Sequence, residues 1–181
     1  MPLRDLDPVL APLNLDFRIR VIDLVSKCLD QGIDMKVYCG VRTAQEQAIL
    51  YRKSRGKADI DRKAQSLRDK ELPFLADILY EVGPQSGKMG KHVTKAGPGE
   101  SWHQYGLAID SVPILYGKAI WESDSDEWEV YGAVAKYLGL NWAGTWQTFK
   151  EMPHGQMHPI PSPLSFFKTP DKVLENLKVS L

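Results

Sequence analysis

Apolar residues recur at three- and four-residue steps between Asn14 and Gln31, at Leu15, Ile19, Ile22, Val25 and Leu29. That spacing predicts a helix with those positions on one stripe and Cys28 on its apolar side. Gly32 stands where a left-handed residue closes a helix, and Asp34 to Gly40 reads as a short strand. Thr43, followed three residues later by Glu46, forms a capping box. It opens a helix expected from about Ala44 to Ser54, with Ala48, Ile49 and Tyr51 inward.

Residues 57–91 change in character. The charged run from Lys57 to Lys70 and the apolar ELPFLADILYEVG predict two further helices broken near Pro73, and PQSGKMGK predicts a loop. GPGESWHQYG is glycine-rich and leads into a strand from Leu107 to Val112. Alternation there sets Ala108 and Asp110 on one face, Leu107 and Ile109 on the other. ILYGKAIW predicts a hairpin around Gly117, and Glu127 to Leu138 a helix with Val130, Val134 and Leu138 on one stripe, ended by Gly139. NWAGTWQTF and PHGQMH predict short strands or loops. The tail from Pro170 carries a weak helical pattern in Val173, Leu174 and Leu177. One α+β domain is the expectation.

Composition narrows the field. With 181 residues, 43% of them apolar, the chain can bury one core. The 23 basic and 23 acidic residues balance, so no global field draws the chain to nucleic acid or to an anionic membrane. YRKSRGK, from Tyr51 to Lys57, is expected to be a solvated helix end. Cys28 and Cys39 have neither a disulfide framework nor metal-ligand spacing, and both are expected as buried small hydrophobes. The first twenty residues lack an apolar signal-like run, and no run of membrane length occurs. A protein made soluble in the cytoplasm is expected, with any export by another route.

The chemistry concentrates in two short motifs, SWHQYGLAID from Ser101 to Asp110 and EMPH from Glu151 to His154. A catalytic zinc needs three N/O ligands, an open position and a base for its water. His103, Asp110 and His154 supply the ligands, and Glu151 the base that accepts a proton and returns it to the leaving amine. His103 and Asp110 lie seven apart, which suits a loop leading to a strand better than a helix; alone, that spacing is a weak signal. The plain alternative is a surface glutamate and core histidines. His158 competes with His154 for the third position, although Gly155 and Pro159 disfavour the helix that pair would need. His92 is expected in solvent. Arg42 can clamp a substrate carboxylate or steady an oxyanion, or be an ordinary exposed arginine. Ser101 can bind substrate or close a turn. At least one of Trp142 and Trp146 is expected to pack in the core.

These motifs resemble those of the LAS zinc peptidases, the group of lysostaphin-type enzymes, D-alanyl-D-alanine carboxypeptidases and the hedgehog domain. Within it they look most like phage endolysin L-alanyl-D-glutamate peptidases and their bacterial cell-wall relatives. SWHQYGLAID matches S-x-H-x-x-G-x-A-x-D at each fixed position, Glu151 and His154 match the catalytic glutamate and third ligand, and GVRTAQEQAILY brings Arg42. The resemblance covers about residues 15–56 and 92–156. It implies an α+β fold with a small central antiparallel sheet flanked by helices and a single zinc peptidase domain over 1–181, beside which residues 57–91 look like a helical insertion. Because both ends of that segment join motif-bearing elements, it is expected to cover or border the zinc cleft. Gly155 departs from the bulky residue usual after the third ligand.

The resemblance further implies Zn2+ as cofactor, the peptidoglycan stem peptide as partner, and hydrolysis of an L,D-amide of the L-Ala-D-Glu type. The alternatives are a D-Ala-D-Ala carboxypeptidase or dipeptidase on the same fold, and a non-catalytic zinc-binding module, against which Glu151 argues. A monomer is expected, without nucleic-acid or membrane partners. Action on the cell wall would follow holin-type release or delivery by a secretion system.

Overall fold

A computed structural model describes residues 8–82, 90–160 and 162–177. It is α+β, with seven α-helices and five short strands among the described residues. The chain groups into two compact units, Met1–Val41 with Tyr105–Pro159, and Arg42–Gln104 with Ile160–Leu181.

The first unit holds the sheet. Strands β1 (Asp34–Cys39), β2 (Ala108–Leu115), β5 (His154–Gln156) and β4 (Asn141–Trp142) lie side by side in that order, and β3 (Lys118–Ala119) pairs with β2. Every pairing is antiparallel. The expected hairpin forms: Tyr116 and Gly117 both have positive φ, the primed-turn geometry that matches the twist of a two-residue hairpin. Helices α1 (Leu15–Asp30) and α5 (Asp126–Tyr137) bury their faces with the sheet in one core of Phe17, Val21, Leu24, Ile109, Val112, Trp128 and Tyr131.

Helix positions follow the expectations more closely than helix faces do. Asn14 caps α1 and Gly32 closes the turn after it with φ +82°. The buried stripe, however, is Phe17, Val21, Leu24 and Cys28, while Leu15, Ile19 and Leu29 are exposed. Both stripes have helical spacing, and packing against α5 and β1 selects the one bearing the aromatic ring. In α5 the buried face is likewise Trp128, Tyr131 and Ala135 rather than one centred on Val130 and Val134.

The second unit is helical. Its α2 (Ala44–Arg52) opens with the full capping box: Thr43 N–H donates to Glu46 Oε2 at 2.8 Å, and Glu46 N–H to Thr43 Oγ1 at 3.1 Å. Ala48 and Tyr51 are buried as expected but Ile49 is exposed. Helices α3 (Lys57–Arg68) and α4 (Pro73–Glu81) confirm the pair broken near Pro73, and pack on each other; the loop expected at PQSGKMGK lies almost wholly outside the described residues. Arg52 corrects the solvated-end expectation. It is 2% exposed, donates from Nη1 to the Leu79 carbonyl at 2.6 Å, and burial makes its proton easier to lose than usual. Helices α6 (Pro163–Phe167) and α7 (Pro170–Asn176) close this unit, with Val173 and Leu177 buried and Leu174 exposed. Among the described residues no helix is long and apolar enough to cross a membrane.

Candidate active site

Register places the chemistry in the first unit. Asp110 in β2 stands directly opposite His154 in β5, and the His154 Nδ1 lies 3.2 Å from Asp110 Oδ1. The turn before β5 does the rest. Met152 and Pro153 form its corner, His154 N–H donates back to the Glu151 carbonyl at 3.1 Å, and Ser111 N–H donates to the Pro153 carbonyl at 3.0 Å. The side chains of Glu151, His154 and Asp110 thereby line one pocket of about 270 Å³, together with Tyr38, Trp121 and Lys150.

The electrostatics of this pocket are mixed. Two carboxylates, one imidazole and the Lys150 side chain line it, so both signs of charge stand beside donors of the kind a metal takes. Burial opposes charge on the His154 ring, but the hydrogen bond and charge of Asp110 outweigh it, with smaller help from Gln156 and Glu151, and the ring holds its proton more tightly than usual. An imidazole nitrogen and a carboxylate oxygen this close, with a second carboxylate beside them, are the N/O donor set that zinc takes. The residues fit the metal.

Two aromatic residues support the turn. Trp142 is clamped between Gly132 and Gly144, where an added Cβ would fall 2.2 and 2.1 Å from its ring, and its indole N–H donates to the Met152 carbonyl at 2.7 Å. It is the core tryptophan that the sequence led us to expect. Trp146 instead lies with its ring 5.7 Å from the His154 imidazole and donates to Asn141 Oδ1 at 2.9 Å. The Gly155 departure has a cause as well. A Cβ there would meet the Tyr131 hydroxyl at 2.9 Å, so α5 already fills the space a bulky residue would need.

Cys39 differs from its expectation. It is only half-buried, and a register shift between Val37 and Cys39 sets it opposite Asp110, with Sγ within 4.8 Å of a carboxylate oxygen. His158 lies beyond the end of β5, half-buried, and burial makes its ring harder to protonate. Gln156, Lys150, Tyr38 and Trp121 were not anticipated. The available signal was spacing: in extended chain Gln156 shares a face with His154, and Lys150 directly precedes Glu151.

The second unit carries the other expected residues. His103 is 2% exposed in the 3-10 turn Trp102–Tyr105, and its carbonyl accepts the Arg42 N–H at 3.2 Å, so Arg42 and His103 are brought together. The Arg42 guanidinium donates to Gln47 Oε1 at 2.9 Å, and Gln47 Nε2 in turn to the Ala96 carbonyl at 2.7 Å. Ser101 closes the turn, accepting the Gln104 N–H at 3.0 Å. Trp102 anchors it through a 2.7 Å indole hydrogen bond to the Ile160 carbonyl. His92 is exposed, as expected.

Residues 94–157 match the family model described as D-alanyl-D-alanine carboxypeptidase. The chain is 41% identical over 91 residues to the peptidoglycan L-alanyl-D-glutamate endopeptidase CwlK of Bacillus subtilis strain 168, across 46% of this chain and 53% of CwlK. It thus spans about half the length of that relative. Among solved structures it is similar to the L-Ala D-Glu endopeptidase ChiX of Serratia marcescens, at 18% identity and TM-score 0.44, covering 83% of this chain and 84% of ChiX. It is also similar to the vancomycin-resistance D,D-pentapeptidase VanY solved with Zn(II), at 17% identity and TM-score 0.46, covering 80% and 71%. The family match falls on the segment that holds both motifs, and it bears out the resemblance read from the sequence.

Proposed function

We propose that this chain is a zinc-dependent peptidoglycan peptidase that hydrolyses the L-alanyl-D-glutamate amide of the stem peptide. The observation that carries the reading is the cross-strand pair Asp110–His154 with Glu151 in the same pocket. The identity to CwlK supports the choice of bond. Asp110 and His154 would hold the metal, and the motif assigns His103 as the third ligand. Bound there, zinc supplies Lewis acidity toward a peptide carbonyl and acidifies water.

The chain's own residues do the proton work. Glu151 lines the pocket on the turn that precedes His154, so its carboxylate can accept the proton of the attacking water. The same carboxyl then returns that proton to the departing amine. Trp146 lies against the His154 ring and limits its motion. Arg42 is assigned to a substrate carboxylate, with its guanidinium steadied by Gln47. Ser101 serves as a turn residue in the geometry, and binding of substrate by its hydroxyl belongs to the proposal.

A second reading is favoured by the description of the matching family model: D,D-carboxypeptidase activity at the same site. One experiment separates them. A muramyl-free stem peptide ending in D-Ala-D-Ala is incubated with the zinc-loaded protein, and the fragments are weighed. Free L-alanine and a peptide beginning at D-glutamate are expected. Free D-alanine alone selects the second reading, and an intact peptide, with intact purified peptidoglycan in parallel, rejects both.

A further inference from the structure

We infer that Gln156 is the residue that fixes which nitrogen of His154 faces the metal; the inference rests on the zinc peptidase reading. It begins at a backbone carbonyl. Gln156 Nε2 donates to the carbonyl of His158, and Gln156 Oε1 lies 2.9 Å from His154 Nε2. An amide placed the other way round would set its oxygen against that carbonyl, two acceptors in contact. The carbonyl therefore decides the amide's orientation, and the amide oxygen can only accept.

The next step follows from the ring. An acceptor at 2.9 Å requires a proton on His154 Nε2. Nδ1 also faces an acceptor, Asp110 Oδ1 at 3.2 Å. Asp110 is itself a proposed ligand and Gln156 is not, so a metal taken up beside Asp110 would displace the proton from Nδ1 and leave the one on Nε2. That is the side on which a metal shared with Asp110 would be held. Gln156 is 1% exposed, so bulk water does not compete for the Nε2 proton.

The strand explains why a residue two positions from the ligand can do this. Residues 154 and 156 project from the same face of extended chain. β5 is bonded on both sides, with Gln156 opposite Ala108 in β2 and Asn141 in β4. The small Ala108 side chain leaves room beside the amide. Gln156 touches neither substrate nor reacting atoms in this account. It is a positioning residue.

The test uses the full chain, loaded with zinc and labelled with 15N in histidine. Two-bond nitrogen–proton correlations should show His154 protonated on Nε2, with Nδ1 shifted by the metal. Competition against a chelator should show Gln156→Leu weakening zinc about 10- to 100-fold, the usual cost of removing a partner that orients a ligand. Gln156→Glu keeps an acceptor for Nε2 but sets its second oxygen against the His158 carbonyl, so it should recover only part of that affinity. A proton found on Nδ1 in the wild-type protein overturns the inference even where Gln156→Leu fails to fold. So does wild-type affinity in a folded Gln156→Leu. A wild-type chain that binds no zinc would instead overturn the peptidase reading itself.

Discussion

Lys63 and Glu100 meet at 2.6 Å in the helical unit, their side chains 18% and 15% exposed, and Glu100 Oε2 also accepts the Gly97 N–H at 2.8 Å. One cation, one anion and one backbone donor match, so the cluster is closed. In the sheet unit Asp110, Glu151 and His154 are also withdrawn from water, yet two carboxylates face one imidazole. With Lys150 they line a pocket of about 270 Å³, so that cluster is left facing open space. Burial of charge by itself therefore marks nothing about function. Ionisable groups held on a strand pair and a tight turn so that they face a pocket mark a place built for something that is not part of the chain.

Removing one carboxylate from each cluster separates the two designs. Glu151→Gln should lower turnover of the stem peptide by about 10²–10⁴, because a general base is lost. Zinc content and the urea midpoint should hold. Retained turnover in a zinc-loaded Glu151→Gln protein would sink the assignment of the base. Glu100→Gln should do the reverse and act on stability. It leaves the Lys63 ammonium part-buried without its counter-charge, which we expect to cost about 1–3 kcal/mol, below the value for a fully buried pair because both side chains keep some water. Equilibrium urea unfolding reads this directly, and an unchanged midpoint would show that the closed pair contributes nothing.

Cys28 offers a reference for burial with no opposite charge involved. Desolvation in the α1 core pushes its thiol up to about 11 from the ordinary 9.0. The folded state therefore holds the proton more tightly than the unfolded chain. The stability this represents is fully present below about pH 9 and is lost as the pH climbs through about 11, at roughly 1.4 kcal/mol per pH unit in between. Urea midpoints between pH 8 and 11 should show this decline, and Cys28→Ala should flatten it. A decline of equal slope in the variant would assign the effect to other groups.

Asp110, Glu151 and His154, which line one pocket, were legible in the sequence as candidates because chemistry restricts them: few residue types can serve as ligand or base, and their spacing survives whatever the packing does. Strands and caps were legible for the same local reason, as at Thr43–Glu46 and Tyr116–Gly117. The inner face of α1 was not legible, since Leu15, Ile19 and Leu29 offer a stripe as regular as Phe17, Val21 and Cys28. Only tertiary contact breaks that tie. Cys39 was misplaced because the irregularity between Val37 and Cys39 changes which residue meets Asp110, and a bulge leaves no mark in periodicity. Gln156 escaped because an amide carries no signal until its partners are known.

The smallest effect we expect tests how the pocket-facing cluster is held from its apolar side. Gly155 separates His154 from Gln156, and the Tyr131 hydroxyl stands where its Cβ would be, at 2.9 Å. Alanine in a strand ordinarily gains several tenths of a kcal/mol over glycine by restricting the unfolded chain. Here it must displace a buried ring packed edge-on against Trp128 and Trp142, with centroids 5.8 and 6.0 Å away. The crowding should win, and Gly155→Ala should cost about 1 kcal/mol in urea unfolding. In a Tyr131→Phe background the obstacle is gone, so the same substitution should become neutral or mildly stabilising. The coupling in this double-mutant cycle should therefore favour the double variant by about 1–2 kcal/mol. Additive costs would mean that the ring does not press on the strand. In that case the geometry of His154 would depend on Asp110, Gln156 and the Trp146 ring, with no part played by the packing of α5 against the strand.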